Sequence, residues 1–393
     1  MERTDERSID PNLQFMKIVY ILGSNYYPNG MSQVITQKMN YLAIHTNHEL
    51  YAILTEKENM PMYYNLNEKI HTINFDINFD DIDTMPFHKK IYYYGIKQIK
   101  YKKLLTKYLL DIRADIVVSI LRREINFIND INDGSIKIGE IHFNKGNYRE
   151  FKSKLLPQKV NLYITKYWRY KLVKEIKKLK IFIVLTNEDY LDWKELQNVI
   201  VIPNPIQKYP DKVSDCMSRS VIAAGRYTWQ KGFDFLIHAW KYVNERHPNW
   251  ELNIYGNGDN NLYQSIANNL NLRDSITCHP ATNNLYQKYN ESSIFVLSSR
   301  YEGFGLVIAE AMSCGLPCVS FACPCGPKDI ITDGKNGFLV EPENIEALAE
   351  RICQLIENEE LRKDMGKEAR KRAEDFTEEK IMCQWVDLFE NIS

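Results

Sequence analysis

The chain has 393 residues, of which 44% are hydrophobic and 26% are charged. This apolar content excludes a disordered protein, and the length favours two or three domains, each with its own core. The 50 Lys and Arg residues nearly balance the 51 Asp and Glu residues, which argues against a nucleic-acid-binding protein. We find no apolar run that could span a membrane and no signal-peptide core in residues 1–15, which predicts a cytoplasmic protein.

The near-neutral total hides a strongly basic region. Residues 86–181 contain 23 Lys and Arg but only 8 Asp and Glu. Within this region, residues 88–107 and 163–180 interleave cations with aromatic and aliphatic side chains. Basic amphipathic helices of this kind bind anionic membrane surfaces. We therefore expect peripheral contact with the cytoplasmic face of the inner membrane, and two solvated helices are the alternative.

Short apolar strands alternate with amphipathic helices along the chain, which predicts parallel sheets with helices on both faces. We predict a first series of strands at Lys17–Leu22, Leu50–Leu54, Ile70–Phe75, Asp115–Ile120, Ile136–Ile141 and Ile181–Thr186. The second series is predicted at Ser220–Gly225, Trp250–Tyr255, Ser275–Cys278, Ile294–Leu297, Pro317–Ser320 and Gly337–Val340. Predicted helices include Met31–Ile44, Gly232–Arg246 and Ile345–Glu357.

Two prolines lie between the two series of strands. Pro203 and Pro205 interrupt both helices and central strands, so we predict a domain boundary there. The predicted fold class is α/β, with two doubly wound domains at 16–203 and 204–376 after a tail at 1–15. Ligands of such folds bind at the carboxyl ends of the strands, so we expect the site in a cleft between the domains.

All eight cysteines lie in the second half of the chain, and four of them fall between Cys314 and Cys325. Their spacing lacks the paired C-x2-C units of known structural zinc sites. We expect buried or loop thiols in a reducing compartment, and a zinc site is the alternative.

Two carboxylates, Glu302 and Glu310, stand eight residues apart. Glu302 is in a glycine-flanked loop after a predicted strand, and Glu310 is on the helix that begins near Gly305. Gly303 and Gly305 permit close approach of the backbone to a ligand, and a helix N-terminus binds anions. This layout fits the sugar, diphosphate and ribose of a nucleotide sugar. A capped helix with an ordinary solvated glutamate is the alternative.

Two cations, Arg226 and Lys231, follow the first strand of the second predicted domain. Arginine binds a diphosphate through paired hydrogen bonds, whereas lysine acts as a compact positive charge. Either residue alone is more often a surface charge. Together with the loop at Glu302, they predict a phosphate-binding site.

These motifs together resemble glycosyltransferase family 4, whose members are retaining enzymes of GT-B architecture. The resemblance rests on the E-x7-E spacing and on segments that match the family pattern: Gly225–Arg226, Lys231–Gly232, Glu310–Pro317, Gly326–Ile331 and Asp333–Val340. It is densest from about Val221 to Val340. It implies two Rossmann-like domains and a C-terminal helix, 377–393, that crosses back onto the N-terminal domain.

The resemblance also implies roles for individual residues of the second domain. Arg226 and Lys231 would hold the donor diphosphate, Glu302 would contact hydroxyls of the donor sugar, and Glu310 would bind the ribose. The backbone of the glycine loop, Gly303, Phe304, Gly305 and Leu306, would bind the distal phosphate. The base would rest near Pro280, at the end of a strand.

In the first domain, the resemblance points to Gly30 and His142. Gly30, in the loop 27–33, would face the donor phosphates and the acceptor. His142 matches the family histidine beside the reacting sugar, with Glu140 as a further candidate, and a structural histidine is the alternative. The predicted catalytic residues are therefore Glu302, His142, Lys231 and Arg226.

The reaction implied is transfer of a hexose or N-acetylhexosamine from a nucleotide-diphosphate sugar, with UDP favoured over GDP. The acceptor would be a saccharide or polyprenyl-linked hydroxyl in capsule, lipopolysaccharide or exopolysaccharide synthesis. The departing phosphate would accept the proton of the acceptor, with retention at the anomeric carbon. The family needs no metal, and we find no Asp-x-Asp motif, so we expect no metal or cofactor. The alternatives are a nucleotide-sugar epimerase of GT-B type and a non-catalytic sugar-nucleotide-binding subunit. A phosphorylase would need a much longer chain.

Overall fold

The computed structural model describes residues 15–27, 29–57, 60–146 and 157–392, without the side chain of Phe87. Except for residue 15, the predicted tail 1–15 lies outside the described residues. The chain forms two compact units. The first comprises Met1–Val184, Trp193–Ile202 and Met382–Ser393, and the second comprises Leu185–Asp192 and Pro203–Ile381.

The first unit is built on a seven-stranded parallel sheet with the order β3-β2-β1-β4-β5-β6-β7. Its strands are β1 Lys17–Gly23, β2 Glu49–Leu54, β3 His71–Asn74, β4 Ile116–Ser119, β5 Ile136–Glu140, β6 Ile181–Val184 and β7 Val199–Val201. The order reverses direction between β1 and β4, which makes their carboxyl ends the switch point where ligands of such sheets bind. Its long helices are α1 Gly30–His45, α2 Phe87–Ile112 and α3 Gln158–Ile176.

The second unit is built on a six-stranded parallel sheet with the order β10-β9-β8-β11-β12-β13. Its strands are β8 Ser220–Ala224, β9 Glu251–Gly256, β10 Ile276–Pro280, β11 Ile294–Leu297, β12 Cys318–Phe321 and β13 Gly337–Val340. The switch point lies between β8 and β11, so the loops that follow these two strands are neighbours.

The remaining helices are short to medium in length. They are α4 Asn187–Asp192, α5 Phe233–Arg246, α6 Asn260–Asn269, α7 Leu285–Asn290, α8 Leu306–Ser313, α9 Pro327–Ile330, α10 Ile345–Glu357, α11 Glu359–Ala373 and α12 Glu378–Ile392. The division between the two units passes through α12, because Ile381 belongs to the second unit and Met382 to the first.

Side-chain alternation in the strands explains why both faces of the second sheet carry helices. Val221 and Ala223 of β8 join one hydrophobic core, with residues of α5 and α10. Ile222 and Ala224 join a second core on the other face, with residues of α8 and α11. Strands buried on both faces read as continuous apolar runs, as these do. The predicted α/β class with two doubly wound sheets is confirmed.

Two features differ from the sequence prediction. Strand β7 was not predicted, although Val199–Val201 and Ile202 form a run of four apolar residues before Pro203. Its three residues are only partly buried. The segment Leu185–Asp192 was placed in the first domain but groups with the second unit. The Asp329 carboxylate accepts hydrogen bonds from the backbone N–H of Asn187 at 2.7 Å and of Glu188 at 3.2 Å, which ties the start of α4 to α9.

Candidate functional site

A lysine–glutamate pair lies at the switch point of the second sheet. Lys231 Nζ donates to Glu302 Oε1 at 2.7 Å, and Ser299 Oγ donates to the same oxygen at 2.6 Å. The Lys231 side chain is 13% exposed and that of Glu302 is 7% exposed. The loops after β8 and β11 thus bring together two residues that are 71 positions apart in sequence. Ser299 was not predicted.

Arg300 fastens these two loops to each other. Its guanidinium forms two hydrogen bonds with the Asp234 carboxylate, at 2.9 and 2.7 Å. Its backbone N–H donates to Gln230 O at 2.8 Å, and the Gln230 side chain donates to Tyr301 O at 3.0 Å. A bidentate arginine–carboxylate pair holds a defined geometry. These contacts fix the separation of the two loops, and no motif in the sequence indicated them.

Gly232 permits the close packing of the first loop on the end of β11. Its φ of +61° is left-handed, and a Cβ at this position would lie 2.1 Å from Ser298 O. Any other residue would clash with that carbonyl and adopt a strained backbone. The glycine therefore sets how near Lys231 comes to Glu302.

Arg226 is exposed at the start of the same loop, and within the described part of the chain its guanidinium forms no hydrogen bond or ion pair. The next residue is anchored: the single hydroxyl proton of Tyr227 is shared between Ile254 O, 2.7 Å from Oη, and His279 O, 2.8 Å from Oη. This links the loop to β10, which ends at the predicted base-binding residue Pro280. Arg226 thus offers an unpaired cation on a fixed backbone.

The N-terminus of α8 lies in the loop after β11. Gly305 precedes the helix with a φ of +85° and provides no side-chain cap. The first amide groups of a helix have no partner within the helix and favour anions. The predicted residues Gly303, Phe304 and Leu306 belong to this segment, in which Phe304 is fixed by an edge contact with Phe376 at 5.5 Å between ring centroids. Backbone donors for a phosphate are thus present beside Glu302.

Glu310 is buried in the second turn of α8. Burial raises the pKa of its carboxyl to about 8. At neutral pH the group therefore retains a proton for much of the time. It becomes a full acceptor for two ligand hydroxyls only when that proton leaves.

Gly30, in the first unit, is the first residue of α1. Asn29 caps this helix, since its side chain accepts from the Ser32 backbone N–H at 2.8 Å. A Cβ on Gly30 would meet no atom within 4 Å, so the glycine faces open space. Pro28, within the predicted loop 27–33, lies outside the described residues.

His142 follows β5, and its side chain is only 4% exposed. Its Nε2 lies 3.2 Å from Glu140 Oε1, and the same carboxylate pairs with Lys38 of α1. Burial raises the pKa of Glu140, but Lys38 and His142 outweigh this effect and lower it to about 2. The ring therefore adjoins an ionised carboxylate. Lys38 was not predicted, although it stands in the buried stripe of α1.

Comparison with known proteins shows that part of the chain matches a protein family. Residues 210–372 match the family described as "Glycosyl transferases group 1". The matched residues lie within the second unit and are hereafter called the group 1 domain. This domain includes the Lys231–Glu302 pair, Arg226 and Glu310.

Relatives of the group 1 domain include an uncharacterized glycosyltransferase of Haemophilus influenzae, 35% identical over 52% of this chain and 60% of that protein. The amylovoran biosynthesis glycosyltransferase AmsD of Erwinia amylovora is 31% identical over 54% of this chain and 65% of that protein. The matches thus span less than two thirds of these relatives. The crystal structure of a Staphylococcus aureus TarM mutant in complex with fondaparinux, alpha-GlcNAc-glycerol and UDP is 17% identical. It has a TM-score of 0.73, over 95% of this chain and 99% of that one, so it shares the fold. The GT-B architecture is confirmed.

The four clustered cysteines of the group 1 domain do not converge on one point. Cys314 and Cys318 lie in the core that contains α8, whereas Cys323 lies in the core on the opposite face of the sheet. Burial raises the pKa of the Cys314 thiol to about 12, which makes it unreactive. Over the described ranges, one group of potential metal ligands lies close enough to hold an ion: Asp189, Asp192 and Cys325.

Helices α2 and α3, which carry the basic stretches 88–107 and 163–180, expose many apolar side chains: Ile91, Tyr92, Tyr93, Tyr94, Ile96, Ile99, Leu162, Tyr163, Tyr167, Trp168 and Tyr170. The inner face of α2 packs into the core through Tyr101, Leu105 and Leu109. None of the described helices is both long and apolar enough to cross a bilayer.

Proposed function

We propose that this protein transfers a hexose or N-acetylhexosamine from a UDP-sugar to a hydroxyl group of a saccharide or lipid-linked acceptor, with retention of the anomeric configuration. The observation that carries this proposal is the Lys231–Glu302 pair at the switch point of the group 1 domain. The lysine charge suits the diphosphate of a nucleotide sugar. The carboxylate beside it can accept hydrogen bonds from the sugar hydroxyls.

The donor diphosphate would lie among Arg226, Lys231 and the N-terminus of α8. Arg226 is exposed and lacks a protein partner in the described residues, so it is available for a phosphate. Developing negative charge on the departing diphosphate is stabilised by fixed cations and amide dipoles near it. These groups would supply the electrostatic stabilisation that a divalent cation provides in other transferases, so we propose a metal-independent reaction.

Glu302 would hold hydroxyls of the donor sugar rather than attack its anomeric carbon. One of its oxygens already accepts hydrogen bonds from Lys231 and Ser299, and this reduces its nucleophilicity. Glu310 would accept hydrogen bonds from the ribose. We propose that the departing phosphate takes the proton of the acceptor hydroxyl on the same face of the sugar, which retains the configuration.

The similar proteins support the choice of substrates. The TarM crystal contains UDP, and the Erwinia relative is named for amylovoran biosynthesis. We therefore place UDP before GDP and propose a role in the synthesis of a surface polysaccharide. A donor panel tests this: the protein is incubated with UDP-, GDP- and ADP-sugars, with and without a polyprenyl-diphosphate sugar, and released nucleotide is measured.

Acceptor-dependent release of UDP with formation of a longer lipid-linked saccharide supports the proposal. Conversion of the UDP-sugar into its epimer without acceptor identifies an epimerase instead. Tight UDP-sugar binding without either product identifies a non-catalytic subunit. Anomeric configuration of the product, determined by NMR coupling constants, distinguishes retention from inversion.

We further propose that α2 and α3 contact an anionic membrane that presents the acceptor. Tyr92, Ile96 and Ile99 form an exposed apolar stripe at helical spacing, and Lys100 and Lys103 stand within one turn of it. Cations near an anionic surface contribute about 1 kcal/mol each, and the aromatic side chains suit the headgroup region. Such a surface would bring the active site to a lipid-linked substrate.

Vesicle flotation tests the membrane proposal. The protein is expected to float with vesicles containing anionic lipid and to remain behind with neutral vesicles or at high salt. Tyr92→Ser/Ile99→Ser should abolish flotation, whereas Leu262→Ser, which removes an exposed apolar side chain of the second unit, should not. Equal flotation of all three proteins would contradict the proposal.

A further inference from the structure

A buried ion pair lies beside His142 in the first unit. Lys38 of α1 and Glu140 of β5 form an ion pair, and both side chains are fully buried. The Lys38 ammonium also stands 4.4 Å from the centroid of the Trp385 ring of α12. Charges this deep pay a large desolvation cost, and a well-packed apolar pair at such sites is often as stable. Stability alone therefore does not account for the pair.

The Glu140 carboxylate is shared between Lys38 and His142. Its Oε1 contacts Lys38 and lies 3.2 Å from His142 Nε2. Neither its Oε2 nor His142 Nε2 has an aligned hydrogen-bond partner in the described part of the chain, although both are buried. The carboxylate is thus close enough to His142 that a rotation of the ring would align a hydrogen bond. Catalytic contacts that are misaligned without substrate commonly tighten when it binds.

Glu140 can act on His142 only as an acceptor. Burial raises its pKa, but Lys38 and His142 lower it to about 2, so the carboxylate is ionised at any physiological pH. A further titratable group near it is Tyr20 of β1, whose buried phenol has a strongly raised pKa and stays neutral. An acceptor next to one imidazole nitrogen places the proton on that nitrogen and leaves the other nitrogen as an acceptor.

We propose that the Lys38–Glu140 pair is a positioning device that holds His142 in its Nε2–H tautomer and fixes the orientation of its ring for sugar transfer. The effect on sugar transfer rests on the proposed function, whereas the contacts among Lys38, Glu140 and His142 do not. Lys38 supplies the charge that keeps Glu140 ionised, and Glu140 supplies the acceptor. Both act through His142, so they are positioning residues rather than catalytic ones.

The test compares two double variants that remove the buried charges together. Lys38→Met/Glu140→Leu replaces the pair with apolar side chains, and Lys38→Met/Glu140→Gln keeps a neutral acceptor near His142. The matched control is Lys137→Met/Asp133→Asn, which removes another largely buried ion pair at the start of β5. In each full-length protein, histidine nitrogen shifts are recorded by NMR, and the His142 signals are assigned by their loss in His142→Gln.

We expect Nε2–H in the wild-type protein and in the control. Lys38→Met/Glu140→Leu should show a mixture of both tautomers, and the glutamine variant should recover part of the preference. In the transfer assay, the leucine variant should lower kcat about tenfold or more, as removal of supporting hydrogen-bond partners does elsewhere, with donor KM within about twofold. The glutamine variant should regain part of that loss.

Identical His142 nitrogen shifts in wild-type protein and the leucine variant would overturn the proposal. So would a loss of kcat in the Lys137 control as large as that in the leucine variant, which would indicate a general effect of buried charge. If the wild-type protein transfers no sugar from any donor, the proposed function fails. The NMR comparison still decides whether the pair sets the tautomer.

Discussion

The two units each place a lysine–glutamate pair near the carboxyl ends of their strands, but the pairs differ in access to solvent. Lys231 and Glu302 remain 13% and 7% exposed, and the exposed Arg226 lies in the same loop as Lys231. Lys38–Glu140 is fully enclosed and touches solvent nowhere. We propose that the same two residue types serve two purposes. An accessible pair can exchange its partner for a ligand, whereas an enclosed pair can act only on its neighbours.

Burial decides how much free energy it costs to open each pair. Lys231 and Glu302 keep 13% and 7% of their side-chain surface exposed, so a phosphate and a sugar hydroxyl can replace the contacts that the pair loses when it opens. A buried pair is costly to open, because either charge left alone lies in a medium of low dielectric constant. The expected effects of substitution follow from this difference.

The largest effect is expected at the accessible pair. Lys231→Met should lower kcat/KM for transfer about 10³-fold, because it removes the charge that, in the proposed function, would stabilise the departing diphosphate. Glu302→Gln should lower it by a similar factor, while far-ultraviolet circular dichroism stays unchanged. Lys241→Met, at an exposed lysine of α5, is the matched control and should transfer sugar at the wild-type rate. Near-normal turnover in Lys231→Met would remove this pair from the active site.

At the enclosed pair, the effect should appear in stability. Lys38→Met alone leaves the Glu140 charge buried without a partner and should lower the free energy of unfolding by about 3–5 kcal/mol. Lys38→Met/Glu140→Leu should lie within about 1 kcal/mol of the wild-type protein, since no charge remains unpaired. Urea unfolding followed by tryptophan fluorescence measures both. Equal losses in the single and double variants would show that the pair does not behave as an enclosed unit.

A smaller effect is expected at Gly232, which permits the close packing of the loop that carries Lys231. Gly232→Ala should destabilise the protein by about 1–3 kcal/mol and weaken UDP-sugar binding, because its Cβ would meet Ser298 O at 2.1 Å. Gly334→Ala is the matched control. Gly334 has a similar φ of +74°, but a Cβ there would meet no atom within 4 Å. Calorimetry of both variants separates the clash from the backbone strain, and equal losses would mean that the clash relaxes.

The smallest effect concerns pH. Burial raises the pKa of Glu310 to about 8, and hydroxyls of a bound ribose would favour its ionised form. Affinity for a UDP-sugar should therefore rise with pH by at most about tenfold per unit and level off above about pH 8, where the carboxyl has already lost its proton. Titration calorimetry between pH 6 and 9 measures this. Glu310→Gln should bind more weakly with no such rise, and a pH-independent wild-type affinity would contradict the role of Glu310.

Much of the fold followed from the sequence because parallel strands buried on both faces leave unmistakable apolar runs. Twelve of the strands lie within a few residues of their predicted bounds. The predicted residues in the loops after β8 and β11 lie at one switch point of the second sheet, whereas Pro280 ends the edge strand β10. Strands β8 and β11 are neighbours although many residues separate them in sequence.

What the sequence did not indicate depends on contacts between distant segments. In the sequence, Arg300 and Asp234 are indistinguishable from ordinary surface charges. Their pairing exists only in the folded structure, where the two loops are neighbours. Lys38 did leave a signal, since it stands at position i+4 from Val34 and i−4 from Leu42, both buried. A lysine inside an apolar stripe implies a buried partner, but the periodicity does not say that the partner is Glu140, 102 residues away.

The division of α12 between the units bears on how the chain folds during synthesis. The residues from Met382 onward complete the first unit, and Trp385 among them covers the Lys38 ammonium. The first unit to leave the ribosome is therefore the last to be finished, after the whole second unit has been translated. Until then the Lys38 ammonium lacks its aromatic cover, so its ion pair with Glu140 is less enclosed in the nascent first unit than in the finished protein.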